Sequence, residues 1–404
     1  MPNPAPARSN AYTHATYAHI IGWGMAVPER IMTNDDLSAI VETDNEFILQ
    51  RTGIRERRIA SEKESTATLA LKAAQNALNV ADILPIELDL IIVATSTPEY
   101  VFPSTASIVQ NWLGATKAGA FDMSAACSGF IYALDMASQA IRTRSITTAL
   151  VIGAETMSRI LDWSDRSTCI LFGDGAGAVV LRASSTPGGV LSTILRSDGS
   201  GWDSLCVPGV GSRDLTGGGI EPNGHKPYRM YMDGPEVFRF ATRVVSESVQ
   251  QAVSNAGLKM DDIKLIVPHQ ANVRIIQSSA RALKIDESRF MVNLDKYGNT
   301  SAASIPIALV EAVQQGRLNE NEYAAFVGFG GGLAWGAAVV KWGSPKPKVE
   351  DRSLLKGQRR QLSYTFAGIR TRWRKLVKSV SDLFERLRPR SGRMKRLRER
   401  VSRL

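Results

Sequence analysis

The stretch AFDMSAACSGFIYALDMASQAI, residues 120–141, holds the change of pattern on which the fold turns. Its first residues are apolar or small and read as a buried strand. From Ser128 onward the apolar side chains follow helical spacing through Phe130, Ile131, Leu134, Ala137 and Ile141. Cys127 stands where strand becomes helix, so its thiol is expected at a helix N-terminus. Unpaired backbone N–H groups and the positive end of the helix dipole favour thiolate there, which predicts a lowered thiol pKa and a nucleophile. Ala125, Ala126, Ser128 and Gly129 are small enough to admit a substrate carbonyl.

Outward from this point the chain alternates helical patterns with short runs that are apolar on both sides. LDLIIVAT (88–95), TALVIGAE (148–155), IKLIVPHQ (263–270) and YAAFVGFG (323–330) suit strands buried between helix layers. The strand before Cys127 and the strand ending near His269 start at Leu90 and Leu265, 265 − 90 = 175 residues apart; Cys127 and Asn299 are 299 − 127 = 172 apart. The expected fold class is therefore α/β, built from two duplicated halves whose equivalent strand ends meet at the middle of the molecule. We place the halves at residues 18–185 and 186–343, after a flexible segment at 1–17 and before a basic helical tail at 344–404.

Composition narrows the function. The chain has 404 residues, 44% hydrophobic and 22% charged, which suits a soluble globular enzyme. The N-terminus has no apolar signal-like core and no long apolar run suggests a membrane span. Cys127, Cys169 and Cys206 are odd in number and lack metal-ligand spacing, so neither a disulfide framework nor a zinc site is expected, and a cytoplasmic setting fits. The net charge is +10, but residues 344–404 alone hold 20 Lys/Arg against 5 Asp/Glu. The remaining 343 residues then carry 29 against 34, so the body is not read as a nucleic-acid binder.

Cys169 and Cys206 read as small apolar packing residues, and His14, His19 and His225 as solvated loop residues. His269 follows the apolar run LIVP at a probable strand end, where open α/β sheets place functional groups. With Cys127 and Asn299 it completes a possible Cys/His/Asn site for thioester chemistry. The runs FGDGAGAVV (172–180) and GFGGGLAWGAAVV (328–340) lack the GK[ST] of a phosphate loop and read as tight strand turns. Backbone N–H groups of the second run, with that of Cys127, are placed to receive a developing oxyanion.

Six segments in order, QRTGIRERRIA, AFDMSAACSGF, DRSTCILFGDGAGAVVL, VPHQANVRII, YGNTSAASIPIAL and GFGGGLAWG, resemble the β-ketoacyl-acyl carrier protein synthase III family of the thiolase superfamily, from about Ala18 to Trp342. The resemblance implies a thiolase-like fold and a condensing enzyme that initiates fatty-acid synthesis from a short acyl-CoA, with acetyl-CoA the expected primer and malonyl-acyl carrier protein the second substrate. It implies Cys127 as the acylated nucleophile, His269 and Asn299 as the pair that stabilises an enolate, and Gly331 as an oxyanion donor beside Cys127. It implies Thr43, Phe47, Arg51, Arg166, Gly234 and Asn272 along a coenzyme A channel, Phe47 standing where the family usually has tryptophan. Arg239, Arg274 and Arg281 would dock the acyl carrier protein, and Phe102 would close the acyl pocket across a homodimer interface. No metal or redox cofactor is implied. A biosynthetic thiolase would carry a second cysteine in the late glycine-rich segment, and GFGGGLAWG has none. Glu99 is the candidate acid/base for a hydroxymethylglutaryl-CoA synthase, which the Asn299 arrangement fits less well. A condensing relative acting in specialised metabolism remains the alternative enzyme.

In the tail, Phe366, Ile369, Trp373, Leu376, Val380, Leu383 and Leu387 recur at spacings of three and four among Arg and Lys. Pro389 breaks this helix, and Met394, Leu397, Val401 and Leu404 resume the pattern. For residues 366–404 this pattern leaves three readings open: a solvated or self-docked tail, contact with an anionic membrane surface, or a grip on an acidic partner such as the carrier protein.

Overall fold

A computed structural model describes residues 15–209, 226–343 and 354–387. His14, His225 and the second tail segment, Met394 to Leu404, lie outside the described residues. The first sheet contains β1 (Tyr17–Ala26), β2 (Leu90–Ala94), β3 (Gly119–Met123), β4 (Thr148–Thr156) and β5 (Asp174–Ser184), in the spatial order β1-β5-β4-β2-β3. The second contains β6 (Gly189–Ser197), β7 (Ile263–Pro268), β8 (Tyr323–Gly330) and β9 (Ala334–Lys341), in the order β7-β8-β9-β6.

These two orders are the same pattern. β2 pairs parallel with β4, placing Leu90 opposite Ala149, and β7 pairs parallel with β8, placing Leu265 opposite Ala324. Both members of the second pair stand 175 residues after their counterparts. β4–β5–β1 and β8–β9–β6 then continue antiparallel in each half. The place of β3 is taken in the second half by one parallel bridge, Ile266 to Phe290.

Five layers result, because each sheet is apolar on both faces. Helices α4 (Gly129–Arg142) and α7 (Ser304–Gln314) fill the space between the sheets. There Phe130, Leu134, Ile305 and Leu309 pack against Ile92 and Val151 of one sheet and Val267 and Phe326 of the other. The residue next to Ile92, Ile91, points outward and packs under α2 (Thr66–Ala81) and α3 (Thr105–Leu113). On the far side, α5 (Gly234–Asn255) and α6 (Val273–Leu283) cover Ile266, Ala325 and Val327. Burying each such Leu, Ile, Val or Phe contributes about 1.5–3 kcal/mol relative to exposure. The apolar face expected for α4 is all in the core, with Phe130, Ile131, Leu134, Ala137 and Ile141 fully buried.

Two glycines at equivalent strand positions bring the halves together. A Cβ on Gly153 of β4 would lie 2.1 Å from the Ala302 carbonyl oxygen, and one on Gly328 of β8 would lie 3.2 Å from Ser128 Cα. Each sheet thus leaves room for the turn contributed by the other half. Gly153→Ala should lower stability by about 1–3 kcal/mol, since backbone is what the new methyl meets. An unchanged urea midpoint would show that this close approach is not needed.

Two sequence expectations are corrected here. His19 is buried in β1 rather than solvated; its ring nitrogens lie 3.1 Å from the Gly343 carbonyl and 2.9 Å from that of Thr186. The glycine run at 172–180 is mostly strand β5, not a turn. Gly175 and Gly177 clear space for α7, where added Cβ atoms would meet Ile307 and Pro306.

Candidate active site

Cys127 occupies a single helical turn, Ala126–Ser128, that leads directly into α4. Ala126 has a positive φ of 46°, and the Ser128 hydroxyl donates to the Ala125 carbonyl at 2.7 Å, so the turn is sharp and locally bonded. The second half repeats it at Ser301–Ala303, where Ser301 has φ 49°. Aligning these turns makes Ala302 the structural counterpart of Cys127, at the same 175-residue offset as the strands. Asn299 corresponds to Ser124, three residues earlier.

Two cavities meet at Cys127. One, of about 680 Å³, is lined by Cys127, His269, Asn299 and Phe329 and opens past Phe47, Arg51 and Arg166. The other, of about 850 Å³, runs from Cys127 past Ser301 and Gly331 to Ser65, Thr66, Tyr100 and Val101. Cys127, Phe172 and Leu205 line both, so the sulfur stands where the two adjoin.

The thiol is buried, and burial pushes its pKa up to about 12, with the charge of Glu155 adding to the rise and a hydrogen bond with Ser301 opposing it. The expected depression at a helix N-terminus is thus outweighed: desolvation disfavours the thiolate more than the helix end favours it. His269 is also buried, and burial alone drives its pKa down to about 3, so the imidazole is neutral. Its ring meets Phe329 edge-on at 5.1 Å, and its Nδ1 has no hydrogen-bond partner among the described residues. The Asn299 Oδ1 accepts from the Ser301 N–H at 2.8 Å, which leaves the amide nitrogen as its free donor end. Asn299 itself is held by its own N–H to the Leu171 carbonyl and its carbonyl to the Gly173 N–H. Buried Arg57, from the QRTGIRERRIA segment, lies under Gly173 and Gly298 of this loop.

Glu155 was not singled out from sequence. Fully buried at the end of β4, it accepts from the Ser96 and Thr97 N–H groups at 3.0 Å, from the Thr95 and Thr97 hydroxyls, and from Ser301 Oγ at 2.9 Å. Burial pushes its carboxyl up while these donors pull it down. The signal was present: a carboxylate closing the otherwise apolar run TALVIGAE.

At the mouth of the first cavity, the guanidinium carbons of Arg51 and Arg166 lie 5.2 and 4.9 Å from the Phe47 ring centre. Asn272 caps α6 through the Arg274 N–H and donates to the Arg51 carbonyl at 3.0 Å. Gly234, Arg239 and Arg274 line the same cavity. Thr43 and Arg281 are not on its wall; Arg281 is exposed near the end of α6. Gly330 lies against the nucleophile, where a Cβ would meet Cys127 N at 2.7 Å, and Gly331 next to it lines the larger cavity with Cys127. Phe102 is 85% exposed and outside both cavities. Glu99 accepts from the Ala67 N–H at the start of α2, and Cys206 lies on the wall of the second cavity rather than in the core. Among the described residues, no group of three His, Cys, Asp or Glu side chains is disposed to hold a metal ion.

A buried thiol between two cavities, facing neutral donors from the other half of a duplicated fold, defines a thiolase-like acyl-transferring enzyme. Family profiles described as 3-oxoacyl-[acyl-carrier-protein (ACP)] synthase III and its C-terminal part match residues 121–199 and 253–342. A β-ketoacyl-[acyl-carrier-protein] synthase III from Roseiflexus sp. (strain RS-1) is 48% identical over 328 residues, 81% of this chain and 99% of the relative. The crystal structure of 3-oxoacyl-[acyl-carrier-protein] synthase III from Aquifex aeolicus VF5 superposes with a TM-score of 0.74 at 46% identity, covering 80% of this chain and all of that one. The priming β-ketosynthase of the R1128 polyketide pathway superposes with a TM-score of 0.76 at 34% identity, covering 82% and 98%. The chain belongs to the β-ketoacyl-acyl carrier protein synthase III family.

Proposed function

We propose that this condensing enzyme initiates fatty-acid synthesis in two half-reactions at Cys127. The observation that carries this is the convergence of Cys127, neutral His269 and the donor end of Asn299 on one cavity wall. In the first half-reaction the Cys127 sulfur attacks the carbonyl of a short acyl-CoA, acetyl-CoA being the proposed primer. Backbone N–H groups of Cys127 and Gly331 receive the oxyanion, and coenzyme A leaves with the proton. In the second, malonyl-acyl carrier protein loses carbon dioxide while His269 and Asn299 hydrogen-bond its thioester oxygen. The enolate carbon attacks the acyl-cysteine, Cys127 departs and regains a proton, and a 3-oxoacyl-acyl carrier protein results. No metal or redox group enters these steps.

Residues 18–185 would supply the nucleophile and 186–343 the His/Asn pair. The coenzyme A path is proposed along Phe47, Arg51, Arg166, Gly234 and Asn272, with Thr43 acting from behind the wall. The exposed Arg239 and Arg274 beside the mouth, and Arg281 further along α6, fit an acidic carrier protein. Phe102, with Tyr100 and Val101 exposed beside it, supports a homodimer in which each copy's Phe102 closes the other's acyl cavity. The setting is cytoplasmic, with a peripheral contact to anionic membrane through residues 366–404. The likeness to a polyketide priming enzyme favours one second reading, priming of a specialised pathway with another acyl-CoA. A panel of acyl-CoAs tested against malonyl-acyl carrier protein separates the two.

His269→Ala tests the division of labour. Acylation of Cys127 by acetyl-CoA should persist, while condensation falls by about 10²–10³-fold, the usual effect of losing one preorganised donor. Because burial holds the imidazole neutral down to about pH 3, the wild-type rate should show no histidine limb between about pH 5 and 8. Equal loss of both half-reactions would place His269 elsewhere in the mechanism.

A further inference from the structure

Residues Leu354–Leu387 form one helix, α8, which lies beyond the family's C-terminal match at residue 342. Its first half is fastened to the body. Arg360 is only 6% exposed, and its Nη1 donates to the carbonyls of Leu78 (3.2 Å) and Ile83 (3.0 Å) with Asp82 Oδ1 at 3.5 Å, capping the C-terminal end of α2. Ala367 is buried beside Gly114, and Arg370 Nη2 donates to Asn111 Oδ1 at 3.4 Å at the end of α3. The opposite end of α2, at Ser65 and Thr66, lines the larger cavity. Thr66 to Leu78 is about 18 Å of helix, so the dock stands well away from that rim.

One face of α8 is left uncovered. Leu362, Phe366, Ile369, Trp373, Leu376 and Val380 are 53, 64, 53, 66, 60 and 44% exposed, at alternating spacings of four and three. They make a single stripe about 27 Å long. No helix among the described residues is long and apolar enough to cross a membrane. The segment from 344 carries an excess of 15 positive charges, while the rest of the chain carries an excess of 5 negative ones. An extended, straight apolar stripe within a strongly basic segment matches the interface of an anionic bilayer, where apolar side chains enter the acyl boundary and cations meet headgroups.

We propose that α8, clamped by Arg360, is an interfacial helix whose Leu362–Val380 stripe seats in anionic lipid. This deepens the peripheral membrane contact proposed above and rests on it. The test uses the full-length protein and vesicles of phosphatidylcholine, with or without one quarter phosphatidylglycerol. Binding should be at least about tenfold stronger to the anionic vesicles. The triple variant Phe366→Ser/Trp373→Ser/Leu376→Ser, which keeps every charge, should lose about tenfold of it while its acyl transfer in solution is unchanged.

Failure of the full chain to bind anionic vesicles would remove the membrane contact altogether. Full binding by the triple variant, abolished by high salt, would leave a purely electrostatic tether and overturn the stripe. A changed oligomeric state in that variant would reassign the stripe to a protein contact.

Discussion

Cys127→Ala is expected to abolish the acetyl adduct formed with acetyl-CoA and to lower condensation by at least about 10⁴-fold, as loss of a covalent nucleophile does elsewhere. The same variant should still release carbon dioxide slowly from malonyl-acyl carrier protein, because His269 and Asn299 approach from the other half and do not depend on the sulfur. Intact-mass measurement reads the adduct, and carbon dioxide release reads the remaining half-reaction. An adduct on the variant would move the nucleophile elsewhere, with Cys206 on the neighbouring cavity wall the first place to look. The wild-type thiol adds a pH signature. Burial holds it up at about 12, so below that value the thiolate fraction rises with pH. Acylation at low substrate should therefore climb toward tenfold per pH unit across the neutral range. A rate already level at pH 7 would mean that the helix end wins and the pKa is low after all.

The thiol pKa is the clearest case of what sequence could not carry. That Cys127 would begin a helix was legible from the switch between strand-like and helical periodicity. How much water reaches it depends on Gly330, Phe172 and Leu205, residues far away in the chain. The four apolar runs became strands because each is apolar on both sides, and their 175-residue repeat survives in sheet order and register. The match of Asn299 to Cys127 was close but displaced: the offset of 172 hid that Ala302 is the counterpart, and chemistry at the second turn moved three residues upstream. Arg360 looked like one more charge in a basic tail, since only a folded α2 offers the carbonyls that bury it. Phe47, Arg51 and Arg166 were each named through the resemblance, but the approach of both guanidiniums to the Phe47 ring needed the fold.

Glu155→Ala is expected to be the most damaging change outside the three reactive side chains. The carboxylate ties three parts of the site together: the Thr95–Thr97 turn at the end of β2, the end of β4, and Ser301, whose N–H holds the Asn299 amide. Its removal takes the acceptor from the Ser96 N–H and from the Thr95, Thr97 and Ser301 hydroxyls, while the Thr97 N–H keeps Thr95 Oγ1 at 3.1 Å. At about 1–3 kcal/mol for each buried unmet donor, stability should fall by about 3 kcal/mol or more. Ser301→Ala removes the hydroxyl that bonds Glu155 and Cys127 but keeps the N–H that holds the Asn299 Oδ1, so it should be milder and separates the thiol from the rest of the site. Its acylation by acetyl-CoA should slow about tenfold, because the thiolate loses a bond that favours it, while decarboxylation stays within about threefold of wild type. Glu155→Gln keeps the volume but turns one amide N–H toward the Ser96 and Thr97 donors, so its stability should fall between wild type and alanine. If Ser301→Ala slows decarboxylation as much as acylation, the Ser301 hydroxyl supports the turn rather than the thiol. If Glu155→Ala unfolds at the wild-type urea midpoint, the buried network does not carry the stability assigned to it.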